Sequence, residues 1–270
     1  MKIIDTHFHP DTLIEFEKKK NNTLYLNENI IIDSKKKMIE KMFCISTHIN
    51  NFQEYINLST QHKEYYFSIG IHPCEFENTN LKETELLLKK TILYCKENKL
   101  KLIGIGETGI DLFREENKIL QSEQIIIFDY HINLSIDNNL PLIIHTRNAT
   151  TETYSILKNY VGKINGTIHA FCDDYQWAKK FVDLGFKLGI GGMITYPKNE
   201  HIRDAVKRIG IDNILLETDA PFLPMQSMRG KINHPQYSYD IGIQIASLLE
   251  INKDTCFEKI YNNTTSLFKV

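Results

Sequence analysis

Residues 2–9 read Lys2-Ile3-Ile4-Asp5-Thr6-His7-Phe8-His9, an apolar run followed by two histidines two positions apart. The apolar residues predict a buried strand that ends at the histidines. Side chains at positions i and i+2 of a strand point to the same face, so His7 and His9 present two imidazoles side by side. Imidazole is a common metal ligand in proteins. By itself, the pair is as typical of an exposed edge strand as of a metal site.

Seven further apolar runs follow the first, and stretches of helical length separate them. Many of the runs are continuous rather than alternating, which is typical of parallel strands covered on both faces. The chain has 270 residues, close to the roughly 250 of a single (β/α)8 barrel. The predicted strands are Ile3–His9, Met42–Thr47, Tyr66–His72, Leu102–Glu107, Leu142–His145, Thr167–His169, Lys187–Ile190 and Ile214–Glu217.

Eight strand–helix alternations favour a closed parallel barrel over an open Rossmann-like sheet. We therefore expect one α/β domain over residues 1–270, a single (β/α)8 TIM barrel with a metal site at the C-terminal mouth of the strands. The polar stretch from Glu15 to Lys37 is long for a first connection and suggests a surface insertion. Helices are predicted at Leu81–Asn98, Gln121–Asn138, Thr151–Tyr160, Tyr175–Leu184, His201–Arg208, Gln236–Glu250 and Lys253–Phe268.

Composition restricts the function and the compartment. A net charge of −2 excludes the strongly basic domain that is the simplest signature of nucleic-acid binding. The five cysteines are odd in number and have no Cys-x-x-Cys spacing, which favours reduced thiols in a cytosolic protein. The first strand begins almost at Met1, so we expect no signal peptide, and no run reaches the length of a membrane span. The sequence thus predicts a cytoplasmic protein that does not associate with a membrane, and no obligate protein partner is evident from it.

Metal-type side chains stand at the ends of most of the predicted strands. In a barrel these ends converge on one mouth, however far apart they are in the sequence. Four of the histidines listed below, together with the two carboxylates, already exceed the three protein ligands of a typical catalytic zinc. They suit two ions about 3.5–4 Å apart, with Glu107 as a bridging carboxylate and Asp219 able to take a proton from water. The residues at these ends are His7, His9, His72, Glu107, His145, His169 and Asp219.

Six motifs contain these residues: Asp5-Thr6-His7-Phe8-His9, Gly70-Ile71-His72-Pro73, Gly106-Glu107-Thr108-Gly109-Ile110-Asp111, Pro141-Leu142-Ile143-Ile144-His145-Thr146-Arg147, His169-Ala170-Phe171 and Glu217-Thr218-Asp219-Ala220-Pro221-Phe222-Leu223. In this order they resemble the TatD family of metal-dependent deoxyribonucleases, within the amidohydrolase superfamily. The likeness extends over essentially the whole chain. Three positions depart from the family's usual residues, namely Pro10, Asn148 and His234, and none of them is a ligand.

The resemblance implies a role for each site residue. His7, His9 and Asp219 would hold one ion, His145 and His169 the other, and Glu107 would bridge them. His72 would face the substrate. Arg147 is a candidate phosphate clamp, because guanidinium binds phosphate bidentately; its alternative is an ion pair at the barrel rim.

The resemblance also implies a reaction. It is hydrolysis of DNA phosphodiester bonds by a metal-activated water, with single strands or strand ends as substrate and a 3′–5′ exonuclease-like action. Two divalent metal ions are expected. Zinc is the first choice, and manganese, magnesium, nickel and cobalt are alternatives. The same centre would suit an acyl or ester hydrolase, such as an aminoacyl-tRNA deacylase or a lactonase. A third alternative is a non-catalytic, metal-stabilised binding protein, although such a protein should have lost a ligand and none is missing.

Overall fold

Parallel strands alternate with helices along the chain. The computed structural model describes residues 1–21, 26–75 and 81–270. Within these ranges eight strands form one parallel sheet in the order of the sequence, which confirms the predicted (β/α)8 barrel class. The strands are β1 (Ile3–Phe8), β2 (Ile39–Cys44), β3 (Tyr65–Ile69), β4 (Leu102–Asp111), β5 (Leu142–Arg147), β6 (Gly166–Ile168), β7 (Phe186–Ile190) and β8 (Ile214–Leu216).

The helices mostly follow the predicted bounds. Two of the seven predicted helices have the predicted ends, and the ends of the other five differ by one to three residues. The expected insertion from Glu15 to Lys37 contains helix, since α1 ends and α2 lies within it; its residues 22–25 are outside the described part of the chain. The helices are α1 (Pro10–Asn21), α2 (Asn27–Lys36), α3 (Asn51–Gln61), α4 (Leu81–Glu97), α5 (Glu115–Ile119), α6 (Gln121–Asn138), α7 (Thr150–Leu157), α8 (Tyr175–Asp183), α9 (Glu200–Ile209), α10 (Ser238–Leu248) and α11 (Lys253–Phe268).

None of the helices in the described ranges combines the length and the apolar character needed to cross a bilayer. The five cysteines all lie in these ranges, and no disulfide joins them. The chain forms two compact units. The first unit comprises residues 1–44, 170–182 and 187–270, and the second comprises residues 45–169 and 183–186. The expected single domain over residues 1–270 stays a prediction.

The first unit contains β1, β2, β8 and most of β7. Strand β1 pairs in parallel with β2, and β7 pairs with β8. Beyond the end of β8, Ala220 forms a parallel bridge to Phe8, and the His9 N–H donates to the Ala220 carbonyl at 2.8 Å. Every residue of β1 is buried, as a strand covered on both faces should be. The carboxyl ends of β1 and β8 therefore lie side by side.

The second unit contains β3 to β6, which pair in parallel with their neighbours. Strand β4 continues four residues beyond its predicted end at Glu107, because the residues up to Asp111 pair with β5. Gly104, Gly106 and Gly109 have the spacing of a dinucleotide-binding turn but lie inside β4. At Gly109, which has a φ of +142°, a Cβ would come within 1.9 Å of the His145 carbonyl oxygen. Glycine is thus required there by the close approach of β5.

Candidate metal-binding clusters

The first cluster consists of His7, His9 and Asp219 in the first unit. The Nε2 atoms of His7 and His9 lie 3.8 and 3.5 Å from the same Asp219 oxygen, Oδ1. The two imidazole rings are 5.1 Å apart between centroids and nearly perpendicular. All three residues are buried, and Asp219 has the largest exposed fraction, 8%. The predicted convergence of β1 and β8 on these three candidate ligands is found within this unit.

Asp219 is held in an unusual backbone conformation. Its φ is +60°, in the left-handed region that non-glycine residues rarely adopt, although aspartate tolerates it better than most. The Asp219 N–H donates to the His7 carbonyl at 2.8 Å, and the Asp219 carbonyl accepts from the Phe222 N–H at 2.7 Å. These two bonds fix the turn. The conformation of this turn directs the Asp219 carboxylate toward the histidines of β1.

A buried carboxylate, Asp5, connects the same two strand ends. Its Oδ1 accepts from the Thr218 N–H at 2.9 Å and from the His7 N–H at 3.3 Å, and its Oδ2 accepts from the Thr218 hydroxyl at 2.6 Å. Burial raises the pKa of Asp5 to about 8, although these hydrogen bonds act to lower it. Sequence reasoning assigned Asp5 no role. Its signal was available, because Asp5 shares a strand face with His7 and His9.

The second cluster consists of His72, Glu107, His145 and His169 in the second unit. Glu107 is at its centre: its Oε1 lies 2.9 Å from His145 Nδ1, 3.5 Å from His169 Nε2 and 3.6 Å from His72 Nε2. One ligand atom each from His72, Glu107 and His145 lies within 4.8 Å of the other two. Glu107 is almost wholly buried. The predicted grouping of histidines from three strand ends around this glutamate is therefore present.

Asp111 contacts the other ring nitrogen of His145. Its Oδ2 is 3.1 Å from His145 Nε2, while its Oδ1 accepts from the Phe113 N–H and from the Asn117 amide. Burial alone would raise the pKa of Asp111, but the hydrogen bonds with His145 and Phe113 outweigh it and hold that pKa below its usual range. Sequence reasoning quoted Asp111 in a motif and gave it no role. It stands four positions after Glu107 on one strand, hence on the same face.

His145 is consequently flanked by two carboxylates. Burial would lower the pKa of the His145 imidazole, yet the hydrogen bonds with Asp111 and Glu107 raise it above the ordinary value. A ligand histidine whose second nitrogen meets a carboxylate is the usual arrangement at metal sites, because the carboxylate orients the ring and increases its basicity. Asp111 fits this orienting role.

His72 is placed by two backbone contacts in the loop after β3. Its N–H donates to the Thr47 carbonyl at 2.8 Å. The preceding N–H, of Ile71, donates to Nε2 of the fully buried His131 at 3.2 Å. Burial lowers the pKa of His131 to about 4, so the ring is a neutral acceptor at neutral pH. His131 is thus structural, and it supports the loop that carries His72.

Arg147 ends β5 as an exposed residue, two positions after His145. Its guanidinium lies 3.7 Å from the centre of the Phe113 ring, a cation–π contact that leaves the edge of the guanidinium available for hydrogen bonds.

In the first unit, His234 Nε2 lies 2.9 Å from Glu17 Oε1. His234 therefore connects its loop to α1.

Both clusters fit divalent metal ions. Bonds of about 2.1 Å to a tetrahedral ion place neighbouring ligand atoms about 3.4 Å apart. The His9–Asp219 and His169–Glu107 distances, each 3.5 Å, are close to that value. Imidazole with carboxylate is the donor set of zinc and neighbouring transition metals. The residues that could hold an ion are His7, His9 and Asp219 in the first cluster, and Glu107, His145, His169 and His72 in the second.

Comparisons with known proteins agree along the whole chain. A family model described as TatD related DNase matches residues 4–269. An uncharacterized metal-dependent hydrolase of Buchnera aphidicola subsp. Baizongia pistaciae (strain Bp) is 33% identical over 272 residues, which cover 100% of this chain and 97% of that protein. The crystal structure of YjjV, a TatD homologue from Escherichia coli K12, superposes with a TM-score of 0.88 at 27% identity, covering 99% of this chain and 98% of that one.

A more distant structure has the same fold. The TatD family hydrolase from Entamoeba histolytica has a TM-score of 0.79 at 19% identity and covers 99% of this chain and 98% of its own. The expected family resemblance and barrel class are both confirmed. The chain therefore belongs to the TatD-related DNase family, and it is a metal-dependent hydrolase of that family.

Proposed function

We propose that this hydrolase is a deoxyribonuclease that cleaves phosphodiester bonds of single-stranded DNA or of strand ends. The observation that carries the proposal is that His72 contacts the central Glu107 and that Arg147 stands two positions after the cluster residue His145. His72 shares Glu107 with His145, and Arg147 follows His145 on the same strand face. A guanidinium and an imidazole beside a metal-binding cluster suit a phosphate group, which needs several hydrogen-bond donors.

Two divalent ions, zinc in the first instance, are part of the proposal. One would be held by His7, His9 and Asp219 and the other by His145 and His169, with Glu107 shared as the family resemblance implies. When bound, such ions lower the pKa of water and neutralise charge that develops on a phosphoryl oxygen. The ligand set is complete in this chain, which supports a catalytic role over that of a degenerate binding protein.

The protein side chains have separate tasks in this proposal. Asp219 accepts the proton of the attacking water at a carboxylate oxygen, because it is the carboxylate that ends the β8 motif beside two imidazoles. His72 donates a hydrogen bond to the scissile phosphate or to the leaving oxygen. Arg147, whose guanidinium lies 3.7 Å from the centre of the Phe113 ring, binds a non-bridging phosphate oxygen. The burial of Asp219 and Glu107 keeps both carboxylates away from competing surface cations.

The test is a comparison of substrates with metal-depleted and reloaded protein. Metal-free protein should be inactive, and Zn²⁺, Mn²⁺ or Co²⁺ should restore hydrolysis of a single-stranded oligonucleotide. Strands labelled at either end would report the direction of digestion. Aminoacyl-tRNA and a lactone, assayed side by side, test acyl hydrolysis. Faster turnover of either acyl substrate, or undiminished DNA hydrolysis without metal, would refute the deoxyribonuclease proposal.

Matched variants connect the activity to the clusters. Asp219→Asn and Glu107→Gln keep the size of each side chain and remove its charge, and each should lower kcat by at least 10²-fold, within the usual range for acid–base and electrostatic groups. Asp137→Asn makes the same chemical change at an exposed position of α6 and is the control. Equal loss in all three variants would separate the activity from the clusters.

A further inference from the structure

A cavity of about 570 Å³ opens in the first unit between the carboxyl-terminal end of α1 and two segments that follow β8. Part of its lining is apolar and includes Phe16 and Pro221. The rest is strongly basic, and none of its lining residues is acidic. The cationic lining residues are Lys19, Lys20, Arg229 and Lys231. Four cations around one cavity are notable in a chain whose net charge is −2, because they oppose the overall sign.

The basic side chains are held toward the cavity by local contacts. Lys20 Nζ donates to the Gly230 carbonyl at 2.7 Å, which connects α1 to the loop that carries Arg229 and Lys231. The Arg229 guanidinium lies 5.7 Å from the centre of the Tyr196 ring. Lys19 is paired with Glu15 one helical turn earlier, so the positive charge of the cavity comes mainly from the other three cations. Arg229 and Lys231 are exposed, as is Lys20.

Aromatic rings lead from the first cluster to this cavity. The Phe222 ring is 6.0 Å from the His9 ring and 5.6 Å from the Phe16 ring, between centroids. Phe222 is 41% exposed and Phe16 is 37% exposed, large fractions for phenylalanine. Pro221, two positions after Asp219, lines the cavity. The cavity thus adjoins the first cluster along the chain and through this row of rings.

We propose that the cavity binds backbone phosphates of a nucleic-acid single strand next to its scissile bond, with bases stacked on Phe222 and Phe16. This rests on the proposed function, since the strand is the one hydrolysed at the metal clusters. Exposed rings beside a basic groove are the combination by which proteins bind single strands without base preference. A duplex offers no free base faces, and an acidic peptide would leave both rings without stacking partners. Single-stranded nucleic acid is therefore the occupant that uses both features.

The test measures binding rather than turnover. Metal-loaded protein is titrated into a fluorescein-labelled, phosphorothioate-linked strand of twelve thymidines, which keeps the backbone charge and resists hydrolysis, and Kd is read from anisotropy at several salt concentrations. The triple variant Lys20→Gln/Arg229→Gln/Lys231→Gln should bind at least tenfold more weakly. Its slope of log K against log salt should be shallower by about 2, since each lost phosphate contact removes about 0.7.

The control is Lys207→Gln/Lys253→Gln/Lys269→Gln. It removes the same charge at exposed positions that do not line the cavity, and its Kd should stay within twofold of that of the parent. Phe222→Ala should weaken binding with an unchanged salt slope, because it removes stacking alone.

Three results would overturn the proposal: equal weakening in both triple variants, an unchanged slope in the cavity variant, or equally tight binding of a twelve-residue glutamate peptide. Failure of the proposed function appears separately, as absent hydrolysis by the reloaded parent protein. Strand binding that depends on the cavity can be present or absent whether or not the reloaded parent protein hydrolyses the strand.

Discussion

The Thr218 hydroxyl donates a 2.6 Å hydrogen bond to Asp5, and the Thr218 N–H donates a second bond to the same carboxylate. Asp5 stands two positions before His7, and Thr218 directly precedes Asp219. This pair therefore holds the strand that carries two imidazoles against the strand end that carries the carboxylate. It controls the distances within the first cluster without belonging to it.

Removing the Thr218 hydroxyl should loosen the first cluster. Thr218→Val keeps the shape but leaves the buried Asp5 with one donor fewer, which should lower the free energy of unfolding by about 1–3 kcal/mol. Metal affinity should fall roughly 10–100-fold, the usual effect of losing a group that orients ligands. Urea unfolding and calorimetric titration with Zn²⁺ measure the two effects. Thr218→Ser retains the hydroxyl and should keep near-parental affinity; affinity unchanged in the valine variant would contradict this account.

Asp111 should control the proton carried by His145. The pKa of His145 is raised by its carboxylate neighbours, so without metal the ring stays protonated to a higher pH than an ordinary histidine. An incoming ion must displace that proton, and apparent affinity therefore falls as the pH drops below this pKa. In Asp111→Asn the pKa of His145 should fall, and the decline in affinity should begin at lower pH.

Calorimetry in buffers of different ionisation enthalpy counts the protons released on Zn²⁺ binding. Near pH 7 the Asp111→Asn protein should release fewer protons than the parent. At pH 8 it should still bind about tenfold more weakly, because the orienting contact is lost. The Asp137→Asn protein serves as the control. A proton count equal to that of the parent would show that Asp111 does not govern the charge of His145.

The residues of the two clusters differ from their neighbours Asp5 and Asp111 in how far their placement could be predicted from sequence. The candidate ligands stand where apolar runs end, and a parallel sheet brings such ends to one edge whatever the loops do. This is why His7, His145 and Asp219 could be placed without knowledge of any contact. Asp5 and Asp111 lie within the same motifs, but sequence does not reveal which group a buried carboxylate meets.

Two features were missed, one for a local reason and one because it depends on tertiary contacts. Helix α3 has Phe52, Tyr55 and Ile56 at helical spacing, yet its polar residues obscured the pattern. The basic cavity combines Lys20 with Arg229, which are about two hundred positions apart, and the hydrogen bond from Lys20 to Gly230 brings their segments together. No local pattern of charge indicates such a surface.

His131 should make stability depend on pH between its folded and unfolded pKa values. Burial lowers the pKa of His131 from 6.5 to about 4, so the unfolded chain binds more protons than the folded one in this window. The free energy of unfolding therefore falls as the pH drops from 6.5 to 4, by roughly 3 kcal/mol from this residue alone. His131→Gln should flatten that part of the profile in urea unfolding with EDTA present. Parallel profiles for the two proteins would exclude His131 as the cause.

The backbone at Asp219 should give its variants an unusual order of stability. Alanine at a φ of +60° lacks the polar side chain that makes this region accessible to aspartate, at a cost of about 1–2 kcal/mol. Glycine adopts this φ without strain but loses more backbone entropy on folding. The free energy of unfolding of metal-free protein at pH 8 should therefore be about 0.5–1 kcal/mol higher for Asp219→Gly than for Asp219→Ala. Asp219→Asn tolerates the conformation and should lie near the parent. All three should lose Zn²⁺ at the first cluster, which separates the backbone requirement from the ligand requirement. If alanine proved as stable as asparagine, the left-handed turn would not be what selects the residue, and its role as a ligand alone would explain the aspartate.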